Sequence, residues 1–193
     1  TNGVIDGSDV ENTLEISFDE MSHDVHQYTY RVLHCNKDWT ESDISSFEYI
    51  DGFTNADIVD YEHSLNTQRS YTHYWFEFPN NDMQIKASGN YVLQIYEDGD
   101  PENVVAKICF LVVEPMVGID ASIRANTDIE LNGRYQQLDL DILTAQLNMR
   151  DASEVHVVVQ QNGRHDNAVT LNKPTFIEPN RLRYLNQRSL IFE

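Results

Sequence analysis

Four groups of residues in this chain have the types that could do chemistry. His34 and Cys35 are neighbours, and a thiolate beside an imidazole is a nucleophile. They lie on an expected strand, where adjacent side chains point to opposite faces, so they cannot pair with each other. His73 could approach Cys35 from another strand, but no oxyanion-hole segment or third orienting group accompanies them. His23-x-x-His26, with Asp19, Glu20 and Asp24 nearby, offers nitrogen and oxygen donors for a metal, without the firm ligand spacing of a built site. Glu97-Asp98-Gly99-Asp100-Pro101 resembles the start of a calcium loop but lacks the later ligands and the closing bidentate Glu. Carboxylate pairs of the kind that hydrolyse glycosides are available anywhere among 32 acidic residues, and that abundance removes their meaning. GxSxG, P-loop, GxGxxG and CxxC patterns are absent. The reading is no catalytic residue, no cofactor, no metal and no enzyme.

The elements that would position these groups are strands. Leu14, Ile16 and Phe18 alternate with polar residues, as do Tyr28, Tyr30 and Val32, and Leu138, Leu140 and Ile142. Residues 74–78 and 91–96 are aromatic and β-branched. Val104 to Val113 is apolar on both faces, which predicts a central buried strand. Residues 155–159 form another β run. Turn residues separate the runs: 80–82, 88–90, 98–101, Asn132-Gly133 and Asn162-Gly163, the last being the best hairpin signal because Asn-Gly suits a type I′ turn. Residues 41–50 carry a Ser45-x-x-Glu48 capping-box pattern and predict a short helix or helical turn. Leu138, Ile142, Ala145 and Met149 also fit a helix, but the alternation at 138–142 favours a strand.

The expected fold is all-β: an immunoglobulin-like β-sandwich over 1–115, then a second β-sandwich domain over 118–193, complete or truncated. Pro115 and Gly118 mark the boundary. The chain of 193 residues can bury a core without disulfide or metal support. Its 13 Lys and Arg against 32 Asp and Glu give a net charge of −19, a field that repels nucleic acid and anionic membrane surfaces and leaves a basic protein surface or a divalent cation as partner. Two cysteines do not make a disulfide scaffold, and Cys35 and Cys109 are expected to be unpaired. No apolar run is long enough for a transmembrane helix. The abrupt ends at Thr1 and Glu193 suggest a mature or trimmed piece of something longer.

Trp39, Tyr49 and Phe53 fall in a polar region, where large aromatics either pack back on the domain or meet a partner. Together with Asp51 they are the candidate partner-binding residues.

The order of several segments carries further information. His34-Cys35-Asn36-Lys37-Asp38-Trp39, Glu48-Tyr49-Ile50-Asp51-Gly52-Phe53, Tyr71-Thr72-His73-Tyr74, Pro79-Asn80-Asn81-Asp82-Met83, Gly89-Asn90-Tyr91, the 97–101 turn and Val112-Val113-Glu114-Pro115 together resemble the type IX secretion system plug family of Bacteroidetes periplasmic proteins. The resemblance is strongest from Phe18 to Gly118 and weaker through 157–164 and 166–168. Cys109 is not part of the pattern. It implies β-sandwich domains, a periplasmic location at the inner face of the outer membrane, and closure of the outer-membrane translocon barrel by surface contact. The other readings are a glycan-binding sandwich module, for which a groove of Trp39, Tyr49 and Trp75 would speak, and the non-catalytic β domain of a secreted hydrolase.

Overall fold

The computed structural model describes residues 3–6, 13–22, 24–129, 133–164 and 166–193. The chain is all-β and divides into two compact units, Thr1–Glu114 and Pro115–Glu193.

The first unit holds β1 (Gly3–Asp6), β2 (Leu14–Glu20), β3 (Tyr28–Cys35), the one-turn helix α1 (Ser46–Tyr49), β4 (Ile50–Gly52), β5 (Asn55–Ile58), β6 (Asp60–His63), β7 (Thr72–Phe78), β8 (Met83–Ile85), β9 (Gly89–Glu97) and β10 (Val104–Val113). A five-stranded sheet runs β1-β10-β9-β3-β5, a three-stranded sheet runs β2-β7-β6, and β4 pairs with β8. Period-two alternation decides which side chains meet. Tyr30, Val32, Tyr91, Leu93, Ile95, Phe110 and Val112 face inward from the larger sheet, and Ile16, Tyr74, Phe76 and Phe78 face them from the smaller one. Tyr30 stacks on Phe76 between the layers with ring centroids 4.4 Å apart, and Tyr91 stacks on Phe110 at 5.4 Å.

One expectation needs correction here. Val104–Val113 is a strand over the span expected, but it is not buried on both faces: Val105 and Val113 are exposed, and only Phe110 and Val112 are fully buried. The strand lies second from the sheet margin, beside β1. The 41–50 segment forms a single helical turn, Ser46–Tyr49, in which the Ser45 N–H donates to Glu48 Oε1 at 3.3 Å. The 98–101 segment is the β9–β10 turn, with Asp98 and Gly99 both at positive φ (55° and 68°) as a type I′ turn requires.

The second unit holds β11 (Gly118–Arg124), β12 (Gln136–Leu143), β13 (Val157–Val159), β14 (Val169–Leu171), β15 (Phe176–Glu178), β16 (Arg181–Tyr184) and β17 (Ile191–Phe192). A sheet of order β11-β12-β16-β15 is faced by the β13–β14 hairpin, with Leu140, Ile142, Leu171, Leu182, Tyr184 and Leu190 between them. The 138–142 segment is thus strand, as its alternation says. Asn162-Gly163 sits in the hairpin loop at φ 53° and 70°. Asn132 of the Asn132-Gly133 signal lies outside the described residues. The facing hairpin is narrower than the sheet. One row across the sheet reads Ile119, Ile142, Leu182, Ile177: the central pair is buried, while Ile119 is 62% and Ile177 67% exposed.

Candidate interaction surface

The chain leaves β3 at Cys35 and crosses to β4 through residues 36–49. The first part of this crossover is a tight, self-bonded turn. Asn36 N–H donates to Thr40 O at 2.8 Å and Trp39 N–H donates to Asn36 O at 3.0 Å. Asp38 Oδ1 accepts from the Thr40 hydroxyl at 2.6 Å and from its N–H at 3.2 Å. These bonds, the hydroxyl first, hold the Asp38 carboxyl below its ordinary range. The turn puts Trp39 at φ 65°, the left-handed region that a bulky residue rarely occupies and that costs on the order of 1–3 kcal/mol. Its indole is 36% exposed.

The second part turns Tyr49 inward and Phe53 outward. Lys86 pins the crossover from the far side, through its N–H to Tyr49 O at 2.9 Å and its Nζ to Phe47 O at 2.7 Å. Tyr49 is 5% exposed and packs against His34 and Tyr91, and burial pushes its phenol pKa up. β4 then pairs with β8 as far as Gly52↔Met83. Gly52 adopts φ 99°, where a β-carbon would collide with Asp82 O, and Phe53 N–H donates to that same oxygen at 2.8 Å. The ring of Phe53 is left 64% exposed.

The structure therefore divides the four sequence candidates. Trp39, Asp51 and Phe53 are presented on the crossover and its exit. Tyr49 belongs to the core beneath them. Two exposed apolar residues of the same segment, Ile44 and Phe47, were not singled out from sequence, and Phe47 is 77% exposed. Ile44 lines an open cleft of about 340 Å³ with Leu33, Tyr49 and Tyr96. A signal existed: an aromatic between Ser46 and Glu48 on a one-turn helix has only one buried direction, and Tyr49 occupies it.

The other candidates are structural. His34 Nδ1 bonds Ser42 Oγ at 2.8 Å, while Cys35 is buried and its thiol points to Leu33 O. Burial, then the nearby Cys109 thiol, push the Cys35 pKa up, against thiolate formation. His73 Nδ1 is 2.6 Å from Asp19 Oδ1, and its ring stacks on Trp75. Trp75 lines a separate cleft of about 360 Å³ with Tyr30, Asp57, Asp60 and Glu77. Trp39, Tyr49 and Trp75 therefore do not line one groove. His23 lies outside the described residues, and among the described residues no three His, Cys, Asp or Glu are grouped to hold a metal ion. Both cysteines are free thiols.

Residues 6–114 match the family described as type 9 secretion system plug protein, 1st domain, which spans more than half of the chain. This chain belongs to the type IX secretion plug family. The match covers the crossover and every strand of the first unit except most of β1, and it stops where the first unit ends. No curated protein matches. Among solved structures, the plug-family chain is similar to a hypothetical protein from Parabacteroides merdae, at 38% identity and a TM-score of 0.83 over 100% of this chain. It spans 48% of that protein's length.

Proposed function

We propose that this plug-family chain is a non-enzymatic periplasmic plug that binds the outer-membrane translocon barrel from its inner face and closes the pore through surface contact. The observation that carries this reading is the 36–53 crossover. It is held by a closed set of hydrogen bonds and by Lys86, it keeps Trp39 in a strained conformation, and it displays Trp39, Phe47 and Phe53 to solvent instead of burying them. Large aromatics on a rigid support are the usual anchors of a protein interface, because little side-chain freedom is lost on docking. The net charge of −19 steers the approach to a basic rim. The glycan-binding alternative loses its groove, since Tyr49 is in the core and Trp75 serves another cleft.

The test is capture of the translocon from a native membrane extract by the purified protein and its variants. Trp39→Ala and Phe53→Ala are expected to reduce capture while leaving the thermal midpoint nearly unchanged. Undiminished capture by the double variant would remove the crossover as the contact. Unchanged outer-membrane permeability after deletion, in cells whose translocon carries no substrate, would defeat pore closure itself.

A further inference from the structure

A cluster at one end of the first unit takes no part in the surface described above. His26 lies in the loop between β2 and β3. Its Nδ1 is 2.6 Å from Glu97 Oε1 at the end of β9 and 3.3 Å from Glu20 Oε1 at the end of β2. β9 belongs to the five-stranded sheet and β2 to the three-stranded sheet, so one imidazole nitrogen stands between carboxylates of the two layers. The loop is fixed by further bonds. His26 N–H donates to the Tyr74 phenol oxygen of β7 at 3.0 Å, and Asp98 N–H donates to Gln27 O at 2.9 Å. Each carboxylate is oriented by a neighbour: Glu20 Oε1 accepts from Ser22 Oγ at 3.2 Å, and Glu97 Oε2 from Asn103 Nδ2 at 3.3 Å.

We infer that His26 is a proton-operated clasp, holding the two sheets together more tightly while it is charged than when it is neutral. A charged imidazole places its Nδ1–H between two acceptors of opposite layers, forming charge-assisted bonds between them. Removing the proton leaves one neutral ring facing two carboxylates that are mostly shielded from water (side chains 18% and 24% exposed). The short Nδ1–Oε1 distance leaves room for a proton and none for a metal ion, whose two bonds would each take about 2 Å.

The groups facing the ring are Glu20 from β2, Glu97 from β9, Asp24 from its own loop, Tyr74 from β7 and Tyr28 from β3. Burial, foremost, raises the pKa of both phenols, so they stay neutral while the ring titrates. The Glu97 hydrogen bond, then the charges of Glu20, Glu97 and Asp24, raise the His26 pKa above the ordinary 6.5, with partial burial opposing. A base whose folded value exceeds its unfolded value contributes stability that is full below pH 6.5 and is lost as pH rises through the folded value. The first unit is therefore tighter in mild acid.

The experiment is a pair of titrations on the purified 193-residue chain. NMR of the imidazole protons should give His26 a midpoint above 6.5. Thermal midpoints from about pH 6 to about pH 8.5 should fall more steeply in the wild type than in His26→Gln or Glu97→Gln, so that the difference from each variant shrinks toward zero at the alkaline end. A His26 midpoint at or below 6.5 would overturn the proposal, as would a wild-type advantage that does not change with pH. If both variants fail to fold, the wild-type imidazole titration decides alone.

Discussion

The imidazole of His34 lies so close over Gly89 that a β-carbon on residue 89 would collide with its Nε2. Gly89 opens β9 at φ 150°, and the ring above it also meets Tyr91 edge-on and accepts or donates a bond at Ser42. Glycine is thus required twice, by backbone and by space. Gly89→Ala is expected to lower stability by about 1–3 kcal/mol through overpacking, with strain added. In His34→Ala the obstruction is gone, so the same substitution should cost less there. Chemical denaturation of the four proteins in this cycle measures that coupling.

Tyr49 and Phe47 are two residues apart and have opposite fates. Tyr49→Ala empties a core position and should cost about 3–5 kcal/mol, the range for deleting a buried aromatic. Phe47→Ala, on an exposed ring, should stay within about 0.5 kcal/mol. If Phe47 belongs to the contact surface, its loss appears only in translocon capture.

Tyr184 is fully buried, and its hydroxyl has no partner among the described residues. Tyr30 is as deeply buried, but its hydroxyl accepts from Asn80 Nδ2 at 2.7 Å. Tyr184→Phe should leave stability unchanged or raise it, whereas Tyr30→Phe should cost about 1 kcal/mol by removing the bond from Asn80, whose amide keeps its bond to Glu77 O. Equal losses from the two changes would contradict the assignment.

The thiols give a third kind of check. Unfolded, unreduced protein should show two reactive thiols, from Cys35 and Cys109. In the native state Cys109, half-buried, should react first, because burial raises the Cys35 pKa and shields its sulfur.

How much of this was legible follows from what local patterns encode. The strands at 14–18, 28–32 and 138–142 could be read because alternation records a face in a core, and those at 74–78 and 91–96 because aromatic and β-branched runs record burial, which for 91–96 is on both faces. The apolar Val104–Val113 misled for the same reason: valine on the outer face of a strand near the sheet margin looks like valine in a core. At the candidate surface, composition could place Trp39, Tyr49 and Phe53 in a polar region. It could not say which would turn inward, because Lys86 and the β4–β8 pairing decide that from a distance in sequence. The His26–Glu97 contact joins residues 71 apart, a separation at which spacing carries no signal.

The exposed ends of the Ile119–Ile142–Leu182–Ile177 row have a colloidal consequence. β11 is an edge strand of seven residues, regular throughout, with no proline and no inward-pointing charge, and such edges recruit further strands. Opposing such pairing is the mutual repulsion of bodies each carrying −19. That repulsion reaches about 8 Å at physiological ionic strength and only about 3 Å near 1 M salt. Added salt should therefore drive this protein into oligomers, detectable as a rise in scattering mass, and Ile119→Lys should abolish the rise.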